Sequence, residues 1–177
     1  MLNTKINSFK SIAYFKKKFF EITDKELKNF WNVLFFFPFS YTYICPTELL
    51  ELSKNINLFK NLKCNIYAIS TDSHYTHKNW IENEINFINF PFISDFNHKI
   101  SKNYKILNKN DGNCYRSTFI IDPNLIIKSI EIIDISISRS IQEILNKIKM
   151  LIFTFKNKNK LCPYNWLKDN NSIDINL

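Results

Sequence analysis

Glycine is nearly absent from this chain: Gly112 is the single one in 177 residues. Turns that need a left-handed backbone must therefore use Asn, Lys or Leu, at some cost in strain. Modest stability is the expected consequence. Long hydrophobic runs are missing too. The longest, around Val33 to Phe39, is bounded by Asn32 and Pro38, far short of the ~20 apolar residues of a membrane helix. The opening residues Met1 to Asn7 lack the apolar stretch of a secretory signal, so a cytoplasmic protein without membrane association is expected. Cysteine is scarce: Cys45, Cys64, Cys114 and Cys162 are too few and too scattered for a secreted disulfide scaffold. No two of them stand in Cys-x-x-Cys spacing, which removes a closely spaced redox dithiol. The same lack of paired spacing argues against a zinc site built with His74 and His77, so neither a metal nor another cofactor is expected. A basic stripe is also missing. The net charge of +8 comes from lysines spread among Asn and Ile, the composition of an AT-biased coding sequence, and no nucleic-acid partner is expected.

What remains suits one folded domain. Apolar residues make up 45% and aromatics 16% of the chain, ample for a core. No internal repeat or linker interrupts it. Rough alternation over residues 4 to 22 predicts an N-terminal hairpin, and Thr23-Asp-Lys-Glu26 reads as a capping box. Trp31 to Phe37 is apolar on both faces, as a central strand covered by helices must be. After Cys45, Leu49, Leu52, Ile56, Phe59 and Leu62 recur at helical spacing. Asn65 to Ser70 predicts a second buried strand, Thr76 to Asn83 a helix, Phe92 to Ser94 a short strand and Asn97 to Tyr104 another helix. Ser117 to Ile121 and Ile126 to Ile133, joined at Asp122-Pro-Asn124, predict a hairpin. Ser140 to Phe155 has the clearest helical period. Strands alternating with helices imply an α/β sandwich around a mixed central sheet. The division expected is a domain over 1–156 and a polar tail over 157–177 that carries Cys162.

The stretch richest in chemistry is Phe37-Pro-Phe-Ser-Tyr-Thr-Tyr-Ile-Cys-Pro-Thr-Glu48. It lies where a buried strand stops and an amphipathic helix starts. A cysteine in the first helical turn faces unsatisfied backbone N–H groups and the positive end of the helix dipole. Both favour the thiolate, the nucleophilic form. Thr42, one turn earlier, can donate to the sulfur. Pro38 and Pro46 stiffen the loop and offer no backbone donor. The bland alternative is a buried cysteine capping a core helix, against which stands the packing of Pro, Thr, Cys and Pro into one junction.

Pro38-x-x-x-Thr42-x-x-Cys45, continued by Pro46-Thr47-Glu48, resembles the active-site motif of the peroxiredoxins. Further segments resemble the bacterial alkyl hydroperoxide reductase C branch of that family. They are Leu2 to Lys10, Ser70-Thr-Asp-Ser-His-Tyr-Thr-His-Lys-Asn-Trp80, Arg116-Ser-Thr-Phe-Ile-Ile-Asp-Pro123 and Cys162-Pro-Tyr-Asn-Trp166. Together they run along essentially the whole chain. The resemblance implies a thioredoxin-like fold and a peroxide substrate, with Cys45 as the attacking residue and Cys162 as the one that resolves its oxidised form. It also implies a homodimer in which Cys162 of one subunit meets Cys45 of the other, often gathered into a ring of dimers. A flavoprotein disulfide reductase or a thioredoxin is the implied reductant.

A free cysteine, with a pKa of about 8.5, is already a few per cent thiolate at neutral pH. Fuller ionisation thus raises the rate a few tens-fold at most. The rest must come from donors that stabilise charge on the leaving oxygen. Thr42 is one candidate. Arginine is the other, because a guanidinium fork can hold sulfur and peroxide oxygen together. The chain has two arginines. Arg116 matches the family's active-site arginine, Arg139 a second that supports the pocket, and Glu48 is placed one helical turn after Cys45 to orient Arg116. His74 and His77 are expected at a helix start and on the surface, Cys64 in the core, and Cys114 near enough to Arg116 for an off-pathway disulfide. Tyr164 and Trp166 are expected to anchor the tail.

Departures from the family matter as well. Leu125 stands where a glycine is usual, and Ser40 where an aspartate is common. The Trp80–Asp95 segment lacks the Gly-Gly-Leu-Gly insert of peroxiredoxins that over-oxidise easily, and the chain ends at Leu177 without their extra Tyr-Phe helix. Resistance to over-oxidation is predicted; early inactivation with sulfinate at Cys45 during peroxide titration would contradict it. Two other readings compete. One is a holdase-type chaperone ring with vestigial or secondary peroxidase chemistry. The other, a thiol–disulfide oxidoreductase on the same fold, is disfavoured because no second cysteine lies near Cys45 in sequence.

Overall fold

The computed structural model describes residues 1–164, 166 and 171–175. It forms two compact units, Met1–Ile141 and Gln142–Leu177. The first holds a mixed seven-stranded sheet in the order β2-β1-β5-β4-β3-β6-β7. Its strands are β1 (Lys10–Phe15), β2 (Lys18–Thr23), β3 (Trp31–Phe36), β4 (Cys64–Ser70), β5 (Phe92–Ser94), β6 (Ser117–Ile121) and β7 (Ile127–Ile132). Its helices are α1 (Cys45–Lys54), α2 (Ile56–Asn61), α3 (His74–Asn83) and α4 (Lys99–Asn103). The second unit contains α5 (Ile141–Lys156) from Gln142 onward and the small antiparallel pair β8 (Lys160–Leu161) and β9 (Ile173–Asp174). Among the described residues, no helix is long and apolar enough to cross a membrane.

β3 is the hub. All six of its residues are buried, as the apolar character of Trp31 to Phe37 predicted, with the one polar side chain, Asn32, bonded to Leu27 O and Phe30 O. It pairs in parallel with β4 and antiparallel with β6. The second pairing places the functional region. Phe36, the last residue of β3, lies opposite Ser117, the first of β6. Arg116 therefore sits where the chain leaves β3 for Cys45. Two residues before it, the Cys114 thiol donates to Phe37 O at 3.1 Å. Cys114 and Cys64 are both buried and free, so Cys64 is a core residue as predicted and Cys114 is sealed from partners.

Several details differ from the sequence pattern. The N-terminal hairpin begins at Lys10, not residue 4. Asn3 and Ile6 instead donate backbone N–H groups to Ile127 O and Leu125 O, at 2.8 and 2.9 Å. The helix after Cys45 breaks at Asn55, whose side chain bonds back to Glu51 O at 2.9 Å. Asparagine competes for backbone groups in this way, so it ends α1 although the apolar period continues. The burial of His77, the exposure of Tyr164 and the bond made by the Thr42 hydroxyl, described below, are the others.

The scarcity of glycine shows directly. Among the described residues, nine other than glycine adopt positive φ, including Lys16 (48°), Lys17 (62°), Lys63 (52°) and Leu125 (66°). Lys16 and Lys17 form the two-residue turn between β1 and β2. With both at positive φ this is the turn that asparagine–glycine normally occupies. A left-handed residue other than glycine costs about 1–2 kcal/mol. Lys17→Gly should therefore raise the melting temperature by roughly 2–4 °C per kcal/mol relieved; no rise would show that the turn is unstrained.

Candidate active site

The loop from Phe37 to Ile44 leaves β3 and delivers Cys45 to the first turn of α1. Proline occupies the next position, where its missing N–H is not needed by the helix. The Cys45 side chain is buried, with 1% of its surface exposed. Arg116 Nη1 donates to Cys45 Sγ at 3.6 Å and to Glu48 Oε2 at 2.6 Å. Its Nη2 donates to Ile135 O at 3.0 Å. Arg116 Nε is buried and has no partner.

Glu48 is the shared acceptor. Besides Arg116, it takes hydrogen bonds from Arg139 Nη2 (2.8 Å), Nε (3.0 Å) and backbone N (2.7 Å). Arg139 in turn reaches Phe36 O, Ser117 O and Thr118 Oγ1, and its guanidinium carbon lies 3.3 Å from the centre of the Phe35 ring. Burial works against an ionised Glu48, but the hydrogen bonds and charge of Arg139, with Arg116 behind it, hold the carboxyl below its usual range. Burial likewise lowers Arg139 from its ordinary value, although Glu48 opposes it. Two cations share one carboxylate, so the cluster carries one uncompensated positive charge beside a sulfur.

Thr42 is half-buried, and its hydroxyl donates to Phe39 O at 3.0 Å. The sequence pointed to a donor for sulfur or peroxide. Instead the hydroxyl proton is committed to the loop carbonyl of Phe39. Pro38 is buried at the start of the loop. Pro38, Thr42, Cys45, Glu48, Arg116 and Arg139 all belong to the first unit. Cys162 belongs to the second, where it is half-buried and its thiol donates to Met150 O at 3.8 Å. Burial pushes the Cys162 thiol up, and does so more strongly at Cys64 and Cys114. In the tail, Trp166 packs on Phe153 with ring centres 5.1 Å apart, whereas Tyr164 is fully exposed and anchors nothing. Asn165, the motif residue between them, lies outside the described residues.

His77 is not a surface residue. It is completely buried, its ring against Phe37 and Phe92, with Nε2 2.7 Å from Ser70 Oγ. The α3 face shared with Trp80, three residues on, was the available signal, since that spacing puts both on the apolar side. Burial pushes the imidazole down to about 4, although Asp72 pulls the other way. The unfolded chain, whose histidine titrates near ~6.5, binds the proton first. The stability contributed is complete above about pH 6.5 and is lost as pH falls towards 4. A loss of up to about 3 kcal/mol is expected between those limits. Melting curves at pH 7 and pH 4.5 should show it, and His77→Gln should remove that part of the difference.

Solved structures share this architecture. A crystal structure of Enterococcus faecalis AhpC is 32% identical with a TM-score of 0.89, over 92% of this chain and 98% of that one. The reduced 2-Cys peroxiredoxin of Plasmodium vivax is 29% identical with a TM-score of 0.91, over 97% of this chain and 91% of that one. The fold is the thioredoxin-like one of the peroxiredoxins, and the chain is a thiol peroxidase of that class. The model of the AhpC/TSA family matches residues 4–130. Alkyl hydroperoxide reductase C of Amphibacillus xylanus is 35% identical over 169 residues, 94% of this chain and 90% of that protein. The same-named protein of Escherichia coli K12 is 34% identical over 168 residues, with the same coverage of each chain. The chain belongs to the AhpC/TSA family.

Proposed function

We propose that this chain reduces hydrogen peroxide and organic hydroperoxides by attack of the Cys45 thiolate on the peroxide. The reading is carried by Arg116 Nη1 at 3.6 Å from Cys45 Sγ, a permanent cation at the reacting atom. The sulfur bonds to one peroxide oxygen as the O–O bond breaks. The departing oxygen takes the electron pair and then a proton, giving water or an alcohol and a sulfenic acid at Cys45. Arg116, whose Nε is unpartnered, stabilises charge on that oxygen, and Thr42 Oγ1 accepts from the peroxide O–H. Pro38 shapes the loop, Glu48 fixes Arg116, and Arg139 fixes Glu48.

The Cys162 thiol of a second subunit, carried on tail residues 157–177, then condenses with the sulfenic acid. One S–S bond forms and one water leaves. A flavoprotein disulfide reductase or a thioredoxin returns both thiols, in a cytoplasmic homodimer that assembles into a ring of dimers. No metal or cofactor takes part. Peroxide consumption by wild type, Cys45→Ser and Cys162→Ser, read beside a non-reducing gel, tests the scheme. Wild type should give a disulfide-linked dimer that neither variant forms. An oxidised wild type that runs as a monomer contradicts the link between subunits.

A further inference from the structure

The loop carrying Pro38 and Thr42 has irregular backbone and needs an external anchor to keep Thr42 in place. Ser40, midway between those two residues, donates its backbone N–H to Asp72 Oδ2 at 2.8 Å. Asp72 lies in the short connection from β4 to α3. It accepts at the same oxygen from Ser70 Oγ, also at 2.8 Å, and its carbonyl accepts from Ser94 Oγ at 2.7 Å, which ties the connection to β5. Ser70 Oγ is in turn 2.7 Å from His77 Nε2.

The direction of this chain follows from the groups in it. A serine hydroxyl has one proton, and the carboxylate has none to give, so Ser70 donates to Asp72. His77 must then donate from Nε2 to Ser70. That leaves Nδ1 as a bare lone pair, and it is buried without a partner. The opposite direction would leave a buried N–H donor there, which is costlier than an empty acceptor. The proton sequence is thus His77 Nε2–H to Ser70 O–H to Asp72 carboxylate, with the Ser40 N–H arriving from the other side. The His77 ring also rests on Phe37, 6.0 Å between ring centres, the residue just before Pro38. One buried histidine therefore supports the loop through packing and through the carboxylate.

We propose that Asp72, oriented by Ser70 and His77, is a positioning residue that holds the Pro38–Thr42 loop over Cys45 through the Ser40 N–H. The inference rests on the peroxidase reading above and adds to it the control of where peroxide sits. Asp72 touches neither the sulfur nor the peroxide. Its loss acts on peroxide placement and leaves the Cys45–Arg116 pair unchanged.

Two second-order rates on the full chain separate this from a merely structural role: oxidation of Cys45 by hydrogen peroxide, and its alkylation by iodoacetamide, which needs no placement by the loop. Asp72→Ala should lower the first about tenfold and leave the second within twofold. Asp72→Asn keeps an acceptor oxygen and should recover part of the loss, and Ser70→Ala should lose about threefold. If Asp72→Ala fails to fold, the last two variants carry the comparison. Unchanged peroxide rates overturn the proposal, and so do peroxide and alkylation rates that fall in parallel. Failure of the underlying reading looks different: wild type would not consume peroxide, or Cys45→Ser would consume it at the wild-type rate.

Discussion

Arg116→Ala is expected to slow the oxidation of Cys45 by peroxide about 10²–10³-fold, the usual cost of removing one preorganised donor from a developing negative charge. The geometry says why the loss falls on rate. Arg116 is the guanidinium at the Cys45 sulfur, and its Nε has no protein partner. Its removal leaves Glu48 with Arg139, a balanced and still fully hydrogen-bonded pair, so the fold should tolerate the change. Arg116→Lys keeps a charge but loses the planar fork and the bond to Ile135 O, and should fall between the two, about tenfold below wild type. Stopped-flow measurement of Cys45 oxidation distinguishes them. A rate within threefold of wild type for Arg116→Ala would mean that the guanidinium plays no part in the chemistry.

Glu48→Ala should strike stability instead. Arg116 and Arg139 are almost completely buried, and Glu48 is the carboxylate that faces both. Its removal leaves two uncompensated cations in the interior, a defect of about 3–5 kcal/mol in comparable buried pairs. At roughly 2–4 °C per kcal/mol for a chain of this size, the melting temperature should drop by at least about 6 °C. Acid should do gradually what the substitution does at once. The folded Glu48 carboxyl lies below its usual range, so its contribution is present above the unfolded value of about 4.3 and is lost as pH falls through the folded one. Glu48→Gln should show a shallower loss of stability below about pH 4 than wild type does. Equal slopes would indicate that the ion cluster is not what acid destroys.

The two predictions separate rate from stability although the residues are in contact. Arg116 faces the reacting sulfur. Glu48 faces the cations that the reaction requires in the interior. Cys45 lies beside Arg116 because β6 ends its pairing with β3 at Ser117 and so delivers Arg116 to the tip of α1.

Much of this was legible in the residues, for local reasons. The run of apolar side chains in β3, the Thr23–Glu26 capping box and the period of α5 are signals written within one element, and the fold reproduces each. The site was legible through its motif, since Cys45, Thr42 and Pro38 fall within eight positions. What stayed hidden depends on contacts across the fold. The bond from Ser40 to Asp72 spans 32 positions and is set by how a loop settles on the β4–α3 connection. Arg139 was legible as support for the pocket, but its stacking on Phe35 and its bonds to Phe36 O, Ser117 O and Thr118 Oγ1 depend on how β3 and β6 pair. The break at Asn55 and the left-handed lysines were legible as a type of cost, not as places. A side chain that bonds back to its own helix, or a turn without glycine, leaves no periodic trace.

One measurement bears on all of this most directly. The Cys162→Ser variant, given one equivalent of hydrogen peroxide with a sulfenic-acid trap present, should carry the trap on Cys45 alone when its peptides are mapped. Cys64 and Cys114, buried and pushed towards the neutral thiol, should stay unlabelled. A trap on either of those, or continued peroxide consumption with Cys45 unmodified, would contradict the account.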